Sequence, residues 1–100
     1  MKTKFEYLIQ ENNIVLVDFY ATWCGPCKAQ TPLLEEMART FSGKIRIIKV
    51  DIDKNPALAN KYSIQAVPTL MLFNQGNVQY RQPGLHQRSQ LEGIIKKTLN

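Results

Sequence analysis

Cysteine is scarce in this chain: of its 100 residues only Cys24 and Cys27 carry a thiol, too few for a disulfide scaffold. A structural zinc site normally takes four ligands, and one close cysteine pair with the single histidine, His86, does not supply them, so no metal is expected. Long apolar runs are missing as well; no stretch approaches the ~20 residues of a membrane span. The segment Met1 to Glu11 is basic at its start, but it carries acids and no sustained apolar region, which argues against a secretory signal and for the cytoplasm. Basic clusters are also lacking. The formal net charge is +5, yet the 13 lysines and arginines are scattered from Lys2 to Lys97, with no run longer than Lys96-Lys97. A nucleic-acid footprint needs a patch or stripe, so the charge reads as a solvated surface that biases partner choice towards acidic proteins. There are no internal repeats, linkers or low-complexity segments.

What is present suffices for one domain over residues 1–100, since 44% of the residues are hydrophobic. The stretch from Val15 to Lys28 organises the rest. Val15, Leu16, Val17, Phe19 and Tyr20 form an almost continuous apolar run that predicts a buried strand, interrupted by Asp18. Cys24-Gly25-Pro26-Cys27 follows, and beyond it apolar residues recur at helical spacing, so the cysteines fall where a strand turns into a helix. Unpaired backbone N–H groups and the helix dipole favour a thiolate there, most of all at Cys24. Pro26 suits an opening helical turn, and Gly25 permits close backbone approach. The three-residue spacing puts both sulfurs on one helix face, where they can join as a disulfide and part as a dithiol.

Along the chain, Phe5, Leu8 and Ile9 predict a short helix from about Thr3 to Gln10, with Thr3 and Glu6 as its capping box. Asn12-Asn13 separates it from a strand over 14–20. The helix that starts near Cys24 has its stripe at Leu34, Met37, Ala38 and Phe41 and ends at Ser42-Gly43; Pro32 inside it removes a hydrogen bond, at roughly 3 kcal/mol unless the packing accommodates it. Residues 45–52 read as a second strand, too apolar to be half exposed. Asn55-Pro56 marks an N-cap and first position for a helix to about Tyr62. Strands over 69–73 and 78–81 flank a hairpin loop at Asn74-Gln75-Gly76-Asn77. A last helix spans about 87–98, with Leu91, Ile94, Ile95 and Leu99 on one face and a capping box at Ser89 to Glu92. Tyr62, Phe73 and Tyr80 read as core, and His86 as a surface or capping residue.

A stability role for the cysteine pair is weak, because a loop this short restrains the unfolded chain little. Redox exchange fits better. The Cys24 thiolate attacks a protein disulfide, and Cys27 then attacks Cys24 and releases the reduced substrate. Cys27 must lose a proton to do so. Asp18, a carboxyl in an apolar strand, is the candidate acceptor, since burial raises its pKa; the alternative is an aspartate satisfied by the backbone or by a lysine such as Lys49, which interrupts the neighbouring strand.

Trp23-Cys24-Gly25-Pro26-Cys27-Lys28 after a strand bearing Asp18, with Val67-Pro68-Thr69 some forty residues later, resembles the thioredoxin family over nearly the whole chain. The resemblance implies the thioredoxin fold, a three-layer α/β/α sandwich with a mixed central sheet of about four strands, the family's first strand being short or missing. It implies a cis bond before Pro68, Lys49 as a modulator of Asp18, and a docking surface of Trp23, Gly25, Pro26, Ile52, Ala66, Val67 and Gly84, with Pro68 and Thr69, which open the strand there, counted among the substrate-binding residues. On the residues alone, Pro68 is a proline at a permitted strand start and Gly84 a loop glycine. A monomeric protein-disulfide reductase without cofactor, recharged by thioredoxin reductase, is the activity implied. Two alternatives stand beside it: a specialised or periplasmic oxidoreductase of the same fold, and a binding module that needs no thiol chemistry. Ala66, Pro83 and Tyr20 depart from the family's common glycine, valine and tryptophan, which bears on substrate preference.

Overall fold

The computed structural model describes residues 1–11 and 14–100; the expected break at Asn12-Asn13 lies outside them. Helix α1 (Lys4–Glu11) precedes strand β1 (Ile14–Tyr20), and α2 (Gly25–Thr40) leads to β2 (Arg46–Asp51). Then come α3 (Pro56–Lys61), the hairpin β3 (Thr69–Asn74) and β4 (Asn77–Pro83), and α4 (Arg88–Leu99). The four strands form one sheet in the order β2-β1-β3-β4, with β1 parallel to β2 and antiparallel to β3. This is the expected mixed α/β sandwich.

Alternation along β1 assigns the layers. Ile14 and Leu16 face Leu34, Met37, Leu91 and Ile95 of α2 and α4. Val15, Val17 and Phe19 face Phe5 and Ile9 of α1, with Leu58 of α3 packed alongside. A central strand buried on both faces must be apolar throughout, and β1 is, except at Asp18. By the same alternation Asp18 lies on the sheet face covered by α2.

Several local expectations hold. Thr3 Oγ1 accepts the Glu6 N–H at 3.2 Å, and Glu6 Oε1 accepts the Thr3 N–H at 3.2 Å. The β3-β4 turn uses positive φ at Gln75 and Gly76, the pairing that matches strand twist in a two-residue hairpin.

Others are corrected. The second strand is not fully buried: Arg46 and Lys49 are exposed and Ile47 and Ile48 only half-buried, because β2 is an edge strand. Ala38 is exposed rather than part of the α2 stripe. Asn55 makes no side-chain cap; its Nδ2 donates to the Asp51 carbonyl at 3.0 Å instead. The α4 box forms two residues early, where the Gln87 N–H donates to Gln90 Oε1 at 3.4 Å, and Glu92 pairs with Lys96. His86 is buried, because its backbone and both ring nitrogens find partners inside the fold.

Candidate active site

The end of β1 delivers the chain to the start of α2, and Cys24 occupies the N-cap position. Its backbone is extended, with φ −92° and ψ 110°, as an N-cap requires. Cys24 Sγ accepts the Cys27 N–H at 3.1 Å, so the sulfur itself satisfies one of the orphan donors of the helix. Pro26 stands in the first turn, where no N–H is needed. Cys24 and Cys27 are joined as a disulfide with Cα atoms 5.3 Å apart, and both are nearly buried. An anion on Cys24 is therefore favoured by a direct N–H and by the dipole of a 16-residue helix.

Gly25 is helical and needs no unusual torsion, and a Cβ there would meet nothing within 4 Å.

Asp18 is fully buried, and neither carboxylate oxygen has a hydrogen-bond partner. Burial pushes its pKa up to about 6, against the opposing pull of Lys49. Lys49 lies in register with Asp18 on β2. Its ammonium, however, donates to Thr31 Oγ1 at 3.4 Å and sits 4.7 Å from the Tyr20 ring centroid. A cleft of about 190 Å³ opens at this flank, lined by Tyr20, Cys27, Lys28, Thr31 and Lys49 among others.

On the other flank the Val67-Pro68 bond is cis, and Cys24 Sγ lies 3.6 Å from the Val67 carbonyl oxygen. Ile52 and Val67 are half-buried and pack on the cluster of Ala21, Cys24 and Cys27. Trp23, Gly25, Pro26, Ala66 and Gly84 are exposed. Trp23 Nε1 donates to Asp53 Oδ2 at 2.8 Å, which fixes an otherwise 68% exposed indole. Pro68 and Thr69 lie behind this surface: Thr69 Oγ1 donates to the Ala66 carbonyl at 2.6 Å, and the Pro68 carbonyl accepts the Gly84 N–H at 2.7 Å. Both are buried and brace the rim.

Sequence reasoning missed Thr31, Asp53 and Asp51. Asp51 Oδ1 accepts the Asp53 and Lys54 N–H groups at 2.9 and 3.3 Å, which shapes the loop that holds Trp23. An aspartate closing a strand ahead of a polar loop is the signal available for that turn. Among the described residues no group of three or more His, Cys, Asp or Glu could hold a metal, and no helix is long and apolar enough to cross a membrane.

Comparison with known proteins agrees with this geometry. The thioredoxin family profile matches residues 1–97. A thioredoxin-like protein of Synechocystis is 51% identical over 77 residues, covering 77% of this chain and 73% of the relative. The thioredoxin of Rickettsia conorii is 39% identical over 99% of this chain and 95% of its own. A mutant thioredoxin from Halobacterium salinarum superposes with a TM-score of 0.90 at 35% identity, over 100% of this chain and 87% of that one. Likeness of this extent, on a sheet whose central strand delivers a capped cysteine pair, assigns the chain to the thioredoxin family as a thiol–disulfide oxidoreductase.

Proposed function

We propose that this single domain over residues 1–100 works as a protein-disulfide reductase in which Cys24 attacks and Cys27 resolves. The Cys24 thiolate attacks one sulfur of a substrate disulfide and displaces the other as a thiolate, forming a mixed disulfide. Asp18 accepts the Cys27 proton; the Cys27 thiolate then attacks Cys24 Sγ and expels the second substrate thiolate. Two electrons pass from the dithiol to the substrate, whose thiolates take up protons. Lys49 tunes Asp18 through space. The observation that carries this reading is the 3.1 Å bond from the Cys27 N–H to Cys24 Sγ, which favours negative charge on that sulfur.

Substrates dock across Trp23, Gly25, Pro26, Ile52, Ala66, Val67 and Gly84, with Pro68 and Thr69 as support. Among the described residues the Val67 N–H makes no hydrogen bond, which leaves it free to pair with an extended substrate segment. Thioredoxin reductase in the cytoplasm is the electron source, the protein acting as a monomer; the Gly25-Pro26 pair, the variant associated with reducing members of the family, supports this direction. Insulin reduction driven by thioredoxin reductase tests the proposal. The wild-type chain is expected to turn over and Cys24→Ser to be inactive; activity retained by Cys24→Ser would overturn it.

A further inference from the structure

His86 takes no part in thiol exchange, yet its backbone and its ring together tie α2, β4 and the Gly84 loop at the docking rim. Its backbone N–H donates to Gln30 Oε1 at 3.1 Å, and Gln30 lies on the buried stripe of α2 directly after Cys27. On the ring, Nδ1 is 3.1 Å from the Gly84 carbonyl oxygen and Nε2 is 2.7 Å from the Tyr80 hydroxyl. A carbonyl oxygen only accepts, so Nδ1 carries the proton and Nε2 accepts from Tyr80. The neutral ring satisfies both contacts, and burial, which lowers its pKa, keeps it neutral. Gly84, at φ +93°, is thereby held at both ends: its N–H by the Pro68 carbonyl at 2.7 Å and its carbonyl by His86.

An apolar pair at positions 30 and 86 would fill this space, but it would leave the buried His86 backbone N–H without an acceptor and the Gly84 carbonyl without the ring donor. Apolar packing has no direction, whereas the polar chain places one N–H on one carbonyl. We propose that His86 is a positioning residue that fixes the Gly84 edge of the docking surface, and that it sets affinity for folded protein disulfides without entering the exchange chemistry. This rests on the docking surface proposed above.

Three variants separate the two ring nitrogens. His86→Asn places an amide N–H near the Nδ1 position, His86→Gln reaches towards the Nε2 position, and His86→Leu supplies neither. KM and kcat are measured with insulin, and the second-order rate with a small nitrobenzoate disulfide that needs no docking edge. His86→Leu and His86→Gln are expected to raise the insulin KM by about threefold to tenfold, the loss of one directed hydrogen bond, with kcat and the small-disulfide rate unchanged. His86→Asn is expected to stay within about twofold of wild type. Equal KM values for His86→Asn and His86→Gln would overturn the proposal, and that comparison decides it even if His86→Leu fails to fold. A fall in the insulin and small-disulfide rates in parallel would also overturn it, since that marks general loosening. A wild-type chain unable to reduce insulin would instead refute the underlying functional reading, and it is measured first.

Discussion

Asp18 and Lys49 are cross-strand partners, yet the lysine does not pair with the carboxylate: its ammonium bonds Thr31 and stacks on Tyr20. Asp18 is left with both oxygens buried and unpartnered, and desolvation outweighs the attraction of Lys49. A carboxyl in that state resists ionisation and, once ionised, is a strong base for its class.

The first consequence is for stability. The folded pKa of about 6 lies above the ordinary 3.8, so the contribution of Asp18 is fully present below pH 3.8 and is lost as pH rises through about 6. The two-unit gap corresponds to roughly 3 kcal/mol of destabilisation once the group is charged. Asp18→Asn removes this titration. In urea unfolding of the oxidised proteins, its stability relative to wild type is expected to rise between pH 4 and pH 8 by up to about 3 kcal/mol. A pH-independent difference would mean that the carboxyl ionises as easily as in the unfolded chain.

The second is for the exchange reaction. Below pH 6 the wild-type carboxyl is protonated and cannot accept from Cys27, so release of substrate from the mixed disulfide should accelerate as pH rises through about 6. Asp18→Asn is expected to lose that inflection and to be slower above it by about a hundredfold, the low end of general-base contributions. Single-turnover quench measurements of the mixed disulfide give the rate directly. An unchanged inflection in Asp18→Asn would assign it to another group.

Lys49 supplies the third. Its charge lowers the Asp18 pKa against burial, so Lys49→Met should move the same inflection to higher pH and slow resolution at neutral pH. Thr31 and Tyr20 lose a partner in that variant, but neither carries charge to mimic the effect. Carboxyl titration by NMR in Lys49→Met reads the shift. A shift to lower pH would reverse the assigned role.

The parts of this site visible in the sequence are those encoded within one short segment. Val15 to Cys27 specify a buried strand, a helix start and a sulfur pair by local pattern alone, and Asp18 stands out against its neighbours. What the sequence hid depends on strand order or on distant partners. The apolar run over 45–52 looked fully buried, and only the sheet order shows β2 to be an edge. His86 looked like surface because nothing near it announces Gln30, which lies 56 positions earlier. Trp23 and Asp53 meet across 30 positions for the same reason. Local propensity fixes elements; pairing between them is settled by packing.

The capping role of Cys24 separates structure from chemistry at a single atom. Serine is a good N-cap and alanine a poor one, while neither can form a disulfide. Cys24→Ser and Cys24→Ala should therefore be equally inactive in disulfide reduction. They should differ in stability by about 1 kcal/mol in favour of serine, because only serine offers an acceptor to the Cys27 N–H that Sγ satisfies in the native chain. Unfolding both variants under reducing conditions removes any contribution from intermolecular disulfides. If they unfold together, the 3.1 Å contact is an accident of the closed disulfide. If serine is the more stable, the amide is a standing acceptor site at the helix mouth, and the same amide is what holds negative charge on Cys24 when the disulfide opens.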